Sequence, residues 1–337
     1  MNEAVFDAES SLYVLIRFVQ YVGLLLLIGV VTGDRLLART STLRAFVSAN
    51  GVFVDEARRR ARHLGLVGLG IIAISMGPRL IAQAYAVNGG EGPVADAFPM
   101  LAILLQETLW GRAWWLQLAA TGVSAIGLTC AMLAASESGA ASTRRWRARA
   151  RAAAMPVATT ATLVMAFTPA LASHAMSSPG FAIGAIIADG LHVIGAGGWL
   201  GTLAVLIVAA FPATRALGAG ARGAAIAVLV RAFSPVALGF ATMVVLTGTF
   251  AAWLHLRSFQ ALWHTPYGSV LLWKLAALSL VFGTGAYNWR RVLPTLGSDG
   301  AAARLGRSAR AEVTIAVVVV VITAVLVATP TARMATM

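Results

Sequence analysis

Eight stretches of this 337-residue chain stay apolar for twenty residues or more. That feature narrows the fold more than any other. About eighteen consecutive apolar residues suffice for a helix to cross a bilayer. The runs cover roughly 11–33, 62–86, 113–136, 153–174, 187–210, 233–256, 268–289 and 311–330. Their side chains do not alternate apolar and polar, so an outer-membrane barrel is excluded. The expected class is all-α, a polytopic membrane protein of eight transmembrane helices. Composition agrees: 59% of residues are hydrophobic and 12% are charged, and the mean hydropathy is +0.80. The segment 98–110, FPMLAILLQETLW, is apolar but too short to span. It is expected at the interface, where its Trp is at ease.

The net charge of +13 invites a nucleic-acid reading, but its distribution argues otherwise. Arg35, Arg39, Arg44, Arg58, Arg59, Arg60 and Arg62 fall between the first two runs, and Arg144, Arg145, Arg147, Arg149 and Arg151 between the third and fourth. Arg215, Arg222, Arg231, Arg290, Arg291, Arg304, Arg307 and Arg310 lie in the connections after runs five and seven. Twenty of the 26 Lys and Arg thus sit on one side, which the positive-inside rule makes cytoplasmic. The arginines report topology, and no nucleic-acid partner is expected; the partner is the lipid bilayer. Both termini are then expected in the periplasm, across a bacterial inner (plasma) membrane. The opening residues MNEAVFDAES carry three acids and no Lys or Arg, so a cleavable signal peptide is not expected. One cysteine, Cys130, allows no intrachain disulfide and reads as a small apolar packing residue.

The chain divides into 1–152, with spans one to three and their basic loops, and 153–337, with spans four to eight. A repeat crosses that division. Thr108-Leu-Trp-Gly111 before AWWLQLAA parallels Thr265-Pro-Tyr-Gly268 before VLLWKLAA, 157 residues later. Met76-Gly77 in span two parallels Thr247-Gly248 in span six, and spans four and eight each reach a Thr-Pro. Two parallel four-helix repeats are expected, with the functional site near their seam.

Polar groups inside such spans need a reason. Of five histidines, His63 begins span two beside arginines and reads as interfacial. The other four fall on the outer side: His174 ends span four, His192 is one turn into span five, His255 closes span six and His264 precedes span seven. Met176 lies two residues past His174, and Asp189 one turn from His192. Imidazole, thioether and carboxylate together suit copper, as Cu(I) or Cu(II). A satisfied interfacial histidine is the competing reading of each residue alone. In ADGLHVIGAGGWLG (188–201), Asp189, His192, Ala196 and Trp199 share one helix face, while five glycines thin the remainder. Those glycines read first as helix-packing positions, and Gly197-xxx-Gly201 fits that role. Arg17, Arg79 and Lys274 also enter the outer half; they either snorkel, pair with Asp189 or Glu107, or meet an anionic ligand. Tyr267, Lys274, Gly285 and Asn288 share a face of span seven. No Gly-x-Ser-x-Gly, phosphate loop or His-Glu-x-x-His is present, so ATP-driven transport by this chain alone is not expected.

Five ordered blocks resemble the copper-resistance protein D (CopD) family. They are Leu191-His192 with Gly198-Trp199-Leu200-Gly201; Arg231-Ala-Phe-Ser234-Pro235; Thr247-Gly248; Thr265-Pro-Tyr-Gly268 with Leu271-Leu272-Trp273-Lys274; and Asn288-Trp-Arg290 with Leu293-Pro294. The resemblance covers about residues 170–295, and the first half only in outline. It implies an eight-helix inner-membrane protein that imports copper from the periplasm. Such a protein often works with a small periplasmic copper carrier. On this reading His174, Met176, Asp189, His192, His255 and His264 bind the metal at the outer mouth. Trp199, Lys274, Tyr267, Asn288, Arg17 and Arg79 support or gate the path, and the chain is a transporter rather than an enzyme. The alternative is a haem-binding redox membrane protein with axial histidines, its arginines and Lys274 meeting the propionates.

Overall fold

A computed structural model describes residues 5–39, 51–133, 141–172, 181–256, 258–292 and 299–330. Among them are no strands, and eight helices are long and apolar enough to cross a membrane. They are α1 (Ser11–Ala38), α2 (Val52–Val87), α3 (Leu109–Leu133), α4 (Ala152–Leu171), α5 (Ala182–Ala216), α6 (Ala221–Leu256), α7 (Pro266–Val292) and α8 (Leu305–Ala328). The chain is a polytopic all-α membrane protein.

Several helices run past their apolar segments. α2 begins ten residues before the expected span, because no Gly or Pro interrupts its basic end. There Glu56 accepts from Arg59 at 2.7 Å and Arg60 at 2.5 Å, the i,i+3 and i,i+4 spacings that support a helix in water. α5 begins at Ala182, five residues before the expected start. The segment at 98–110 also divides differently. Phe98–Glu107 forms a short helix, whereas Trp110 lies in the first turn of α3.

The packing follows from small residues at crossings. Apolar contact gains little from water exclusion inside a bilayer, so helices hold each other by close van der Waals approach. A Cβ on Gly201 of α5 would stand 2.0 Å from the Leu25 carbonyl oxygen of α1. One on Gly29 of α1 would stand 2.2 Å from the Gly201 carbonyl carbon. Gly23 and Gly68 make a second such crossing between α1 and α2, at 2.8 Å from Gly23 to the Gly68 oxygen. Two buried clusters result. One joins Leu36, Phe53, Trp199, Leu203, Phe233, Val281 and Val319; the other joins Leu27, Ile72, Leu128, Met165, Val205 and Ala209. α1, α2 and α5 contribute to both, so α5 lies at the junction of the bundle. Its backbone widens into π-turns at Gly197–Gly201 and Leu206–Ala210. Ile74, Leu238 and Trp273 point outward, exposed toward lipid.

Polar ties fix the ends. At the basic side, buried Arg62 of α2 reaches Asp34 of α1 at 3.4 Å and donates to the Ala131 carbonyl of α3 at 2.9 Å. At the opposite end the two Thr-x-x-Gly blocks form matching corners. Thr108 Oγ1 donates to the Leu104 carbonyl at 2.6 Å and accepts from the Gly111 amide at 3.0 Å. Thr265 Oγ1 does the same with Ala261 at 2.6 Å and Gly268 at 3.0 Å. Each threonine closes a short helix and caps the long one that follows. Each glycine lets the two helices meet: a Cβ there would stand 2.2 Å from Leu104 O or 2.4 Å from Ala261 O.

Candidate metal-transport site

The glycine-rich part of α5 determines where His192 sits. Gly190 packs under the Phe167 ring of α4, where a Cβ would stand 2.1 Å from the ring. Gly195 and Gly198 pack against α6, at 2.9 Å from Val244 and 2.6 Å from the Phe240 ring. α5 is therefore held between α1, α4 and α6. This places His192 over Gly248 of α6, with its Cε1 3.2 Å from where a Cβ would be. His192 lies deeper in its helix than one turn from the start. Ten residues of helix lie between Ala182 and His192, which is about 15 Å of rise.

The tautomer of His192 follows from its neighbour. Thr247 Oγ1 donates its one proton to the Met243 carbonyl at 2.6 Å. The same oxygen lies 3.0 Å from His192 Nδ1. It must therefore accept there, so Nδ1 carries the hydrogen and donates. The ring also hydrogen-bonds the Val244 backbone; with the hydrogen on Nδ1 the lone pair lies on Nε2, which is the arrangement a metal-ligating imidazole requires.

Asp189 is one turn outward on the same helix, half-buried, and it interacts electrostatically with Lys274 and Tyr267 of α7. Asp189 and Lys274 do not close to an ion pair. Tyr267 is buried and its ring lies 5.6 Å from that of His255. His255 is seven residues beyond Gly248 on α6, about 10 Å further out along the axis. His255 and His192 thus stand at different heights of the bundle. His264 is exposed in the short helix Ala261–His264. His174 and Met176 lie outside the described residues. Among the described residues no group of three or more His, Cys, Asp and Glu converges on one point. Inward of His192, buried Trp199 packs its ring 4.9 Å from that of Phe282.

The remaining basic residues separate into different settings. Arg17 lies 4.2 Å over the Tyr13 ring and donates to the Ala8 carbonyl at 3.1 Å. Arg79 is buried between Gln20 and Gln117. His63 is exposed at the basic end of α2.

Comparison with known families adds the metal. Residues 227–326 match the family model of copper resistance protein D. No curated protein and no solved structure matches the chain. The CopD match begins beyond the Leu191–Gly201 block and extends past Pro294 through most of α8. It takes in Thr247, Gly248, His255, Tyr267, Lys274 and Asn288; of these Thr247 and Gly248 lie against His192, and Tyr267 and Lys274 interact electrostatically with Asp189. The match associates the chain with copper resistance in a membrane and gives the haem alternative no support.

The CopD segment also contains a polar pair that a search for outer-side metal ligands passes over. Asn288 begins a π-turn (Asn288–Val292) and donates to Glu312 of α8 at 3.3 Å. Glu312 is buried. It falls next to the expected edge of span eight, so its charge reads as a boundary residue until α8 is seen to begin earlier, at Leu305. Gln20 and Gln117 are missed for another reason: uncharged amides barely disturb an apolar run.

Proposed function

We propose that this chain is a copper permease of a bacterial inner membrane, moving copper from the periplasm to the cytoplasm. Both termini face the periplasm, and the two halves are parallel repeats about an axis along the membrane normal. Twenty arginines in alternate connections support that orientation, and the matching corners at Thr108 and Thr265 support the repeat. Copper is the cargo. The observation that carries the reading is the Nε2 lone pair of His192, fixed by Thr247 and backed by Asp189 one turn outward.

A path follows from the order of these groups. His264 and His255 receive the ion at the outer end, together with His174 and Met176, which fall in sequence between α4 and α5. Asp189 then offers a carboxylate, and its electrostatic partner Lys274 yields as the cation arrives. His192 Nε2 takes the ion next. Trp199 and Phe282 close the path below it, and their movement at the π-turn opens the way inward. Single turns with π geometry often mark such places. A small periplasmic carrier delivers the ion, as the family resemblance implies.

The test is copper binding by the purified protein. His192→Ala removes the ligand, and Thr247→Val removes the acceptor that fixes its tautomer. Loss of an orienting partner typically weakens metal binding by about 10- to 100-fold. Thr247→Val is expected to fall in that range and His192→Ala at or beyond it. Unchanged affinity in both rejects the site.

A further inference from the structure

A second site emerges in the half of the molecule that the CopD match does not cover. Arg79 of α2 is 8% exposed and makes no ion pair among the described residues. Its Nη1 donates to Gln20 Oε1 of α1 at 2.8 Å and to Gln117 Oε1 of α3 at 3.2 Å. Both glutamines are buried, at 4% and 1% exposure. A guanidinium only donates, so both amides must turn their oxygens toward it and their NH2 groups away. Those amide nitrogens have no partner, and neither has Arg79 Nε. Around a guanidinium held by two amide oxygens and the Tyr13 hydroxyl, three buried N–H-bearing atoms thus lack an acceptor among the described residues, and no carboxylate there pairs with the charge. Each is costly away from water. A closed gap too tight for a water molecule adjoins this cluster, lined by Arg79, Gln117, Trp110 and Thr168, so that a ligand enters only when a lining side chain moves. The Trp110 ring stands 5.4 Å over the guanidinium carbon, as a cover.

We propose that this cluster is an oxyanion-binding site, taking a carboxylate or phosphate group in the outer half of the bundle. The donor set is guanidinium plus primary amides, with the Tyr13 hydroxyl hydrogen-bonded to Arg79 and, among the described residues, no carboxylate paired with it; planar or tetrahedral oxyanions match that set. Trp110 swings aside to admit the ligand. Buried Tyr21 of α1 interacts electrostatically with both Arg79 and Asp189, so the anion and the copper path share a neighbour. The site does not depend on the copper reading.

The experiment uses the full chain purified in detergent, with tryptophan fluorescence as the readout because Trp110 covers the site. Sodium acetate, inorganic phosphate and sodium chloride are titrated at constant ionic strength. In parallel, native mass spectrometry follows binding of phosphatidylglycerol. Saturable quenching by acetate or phosphate identifies a free anion; retention of phosphatidylglycerol alone identifies a lipid headgroup. Gln117→Leu is expected to weaken binding at least tenfold, and Arg79→Gln to abolish it. If Arg79→Gln fails to fold, Gln117→Leu carries the comparison, with its melting temperature as the check on folding. Equal response to chloride, no saturable binding of any probe, or unchanged affinity in Gln117→Leu overturns the proposal.

Discussion

Gly201→Ala should separate α1 from α5 and destabilise the whole bundle. The added Cβ would lie 2.0 Å from the Leu25 carbonyl oxygen, 2.9 Å from its carbon and 3.3 Å from the Gly29 Cα. All three are backbone atoms, so no side chain can rotate to relieve the contact. Ordinary van der Waals distance requires the helices to move apart by more than 1 Å. Overpacking in a tight core costs about 1–3 kcal/mol, and a rigid wall puts this case near 3 kcal/mol. Movement of α5 also shifts His192 from Thr247, so copper binding should weaken together with stability. The assay is thermal unfolding in detergent, with Gly70→Ala as control. Gly70 has open space around its would-be Cβ. That substitution is expected to be neutral or to stabilise by up to about 1 kcal/mol through helix propensity. An unchanged melting temperature in Gly201→Ala would refute the close crossing as the support of α5.

Gly248→Ala places a methyl 3.2 Å from His192 Cε1 and must tilt the imidazole; copper affinity should drop about tenfold, roughly 1.4 kcal/mol, with little change in melting temperature. Thr108→Val and Thr265→Val each remove a cap and should each cost about 1 kcal/mol, so closely similar losses are expected in unfolding experiments. Arg62→Met breaks the tie to Asp34 and Ala131 at the basic end; Arg58 remains 3.8 Å from Asp34, so a loss of about 2 kcal/mol is expected from the missing hydrogen bonds of the guanidinium, read as a thermal shift in detergent.

The eight helices were legible because a bilayer demands long uninterrupted apolar runs, and the arginines mark one side of them. Helix ends were less legible. α2 continues past its apolar segment because Glu56, Arg59 and Arg60 sustain a helix in water as well as lipid does inside. The Thr-x-x-Gly corners were visible as a repeat, but their geometry was not, since a threonine that closes one helix and caps another leaves only three letters of signal. At the site, the shared face of Asp189 and His192 followed from helical spacing. The depth of His192 did not, because the polar-free start of α5 reads equally well as loop or helix. Thr247 as its orienting partner depended on how α5 and α6 cross, which the glycines at 195 and 198 set. Gln20 and Gln117 were illegible from charge, although they hold the buried Arg79 guanidinium. The glycines themselves read correctly as packing residues, and the structure adds which helix each one meets.

The central claim is inward copper movement through His192. Its most direct test is copper flux into sealed proteoliposomes holding the purified chain, with the metal added outside and an internal chelating dye as detector. The account predicts protein-dependent entry that His192→Ala reduces at least tenfold and that His63→Gln, exposed at the basic end of α2, leaves near wild type. Entry at the wild-type rate in His192→Ala would contradict it, as would no protein-dependent entry at all.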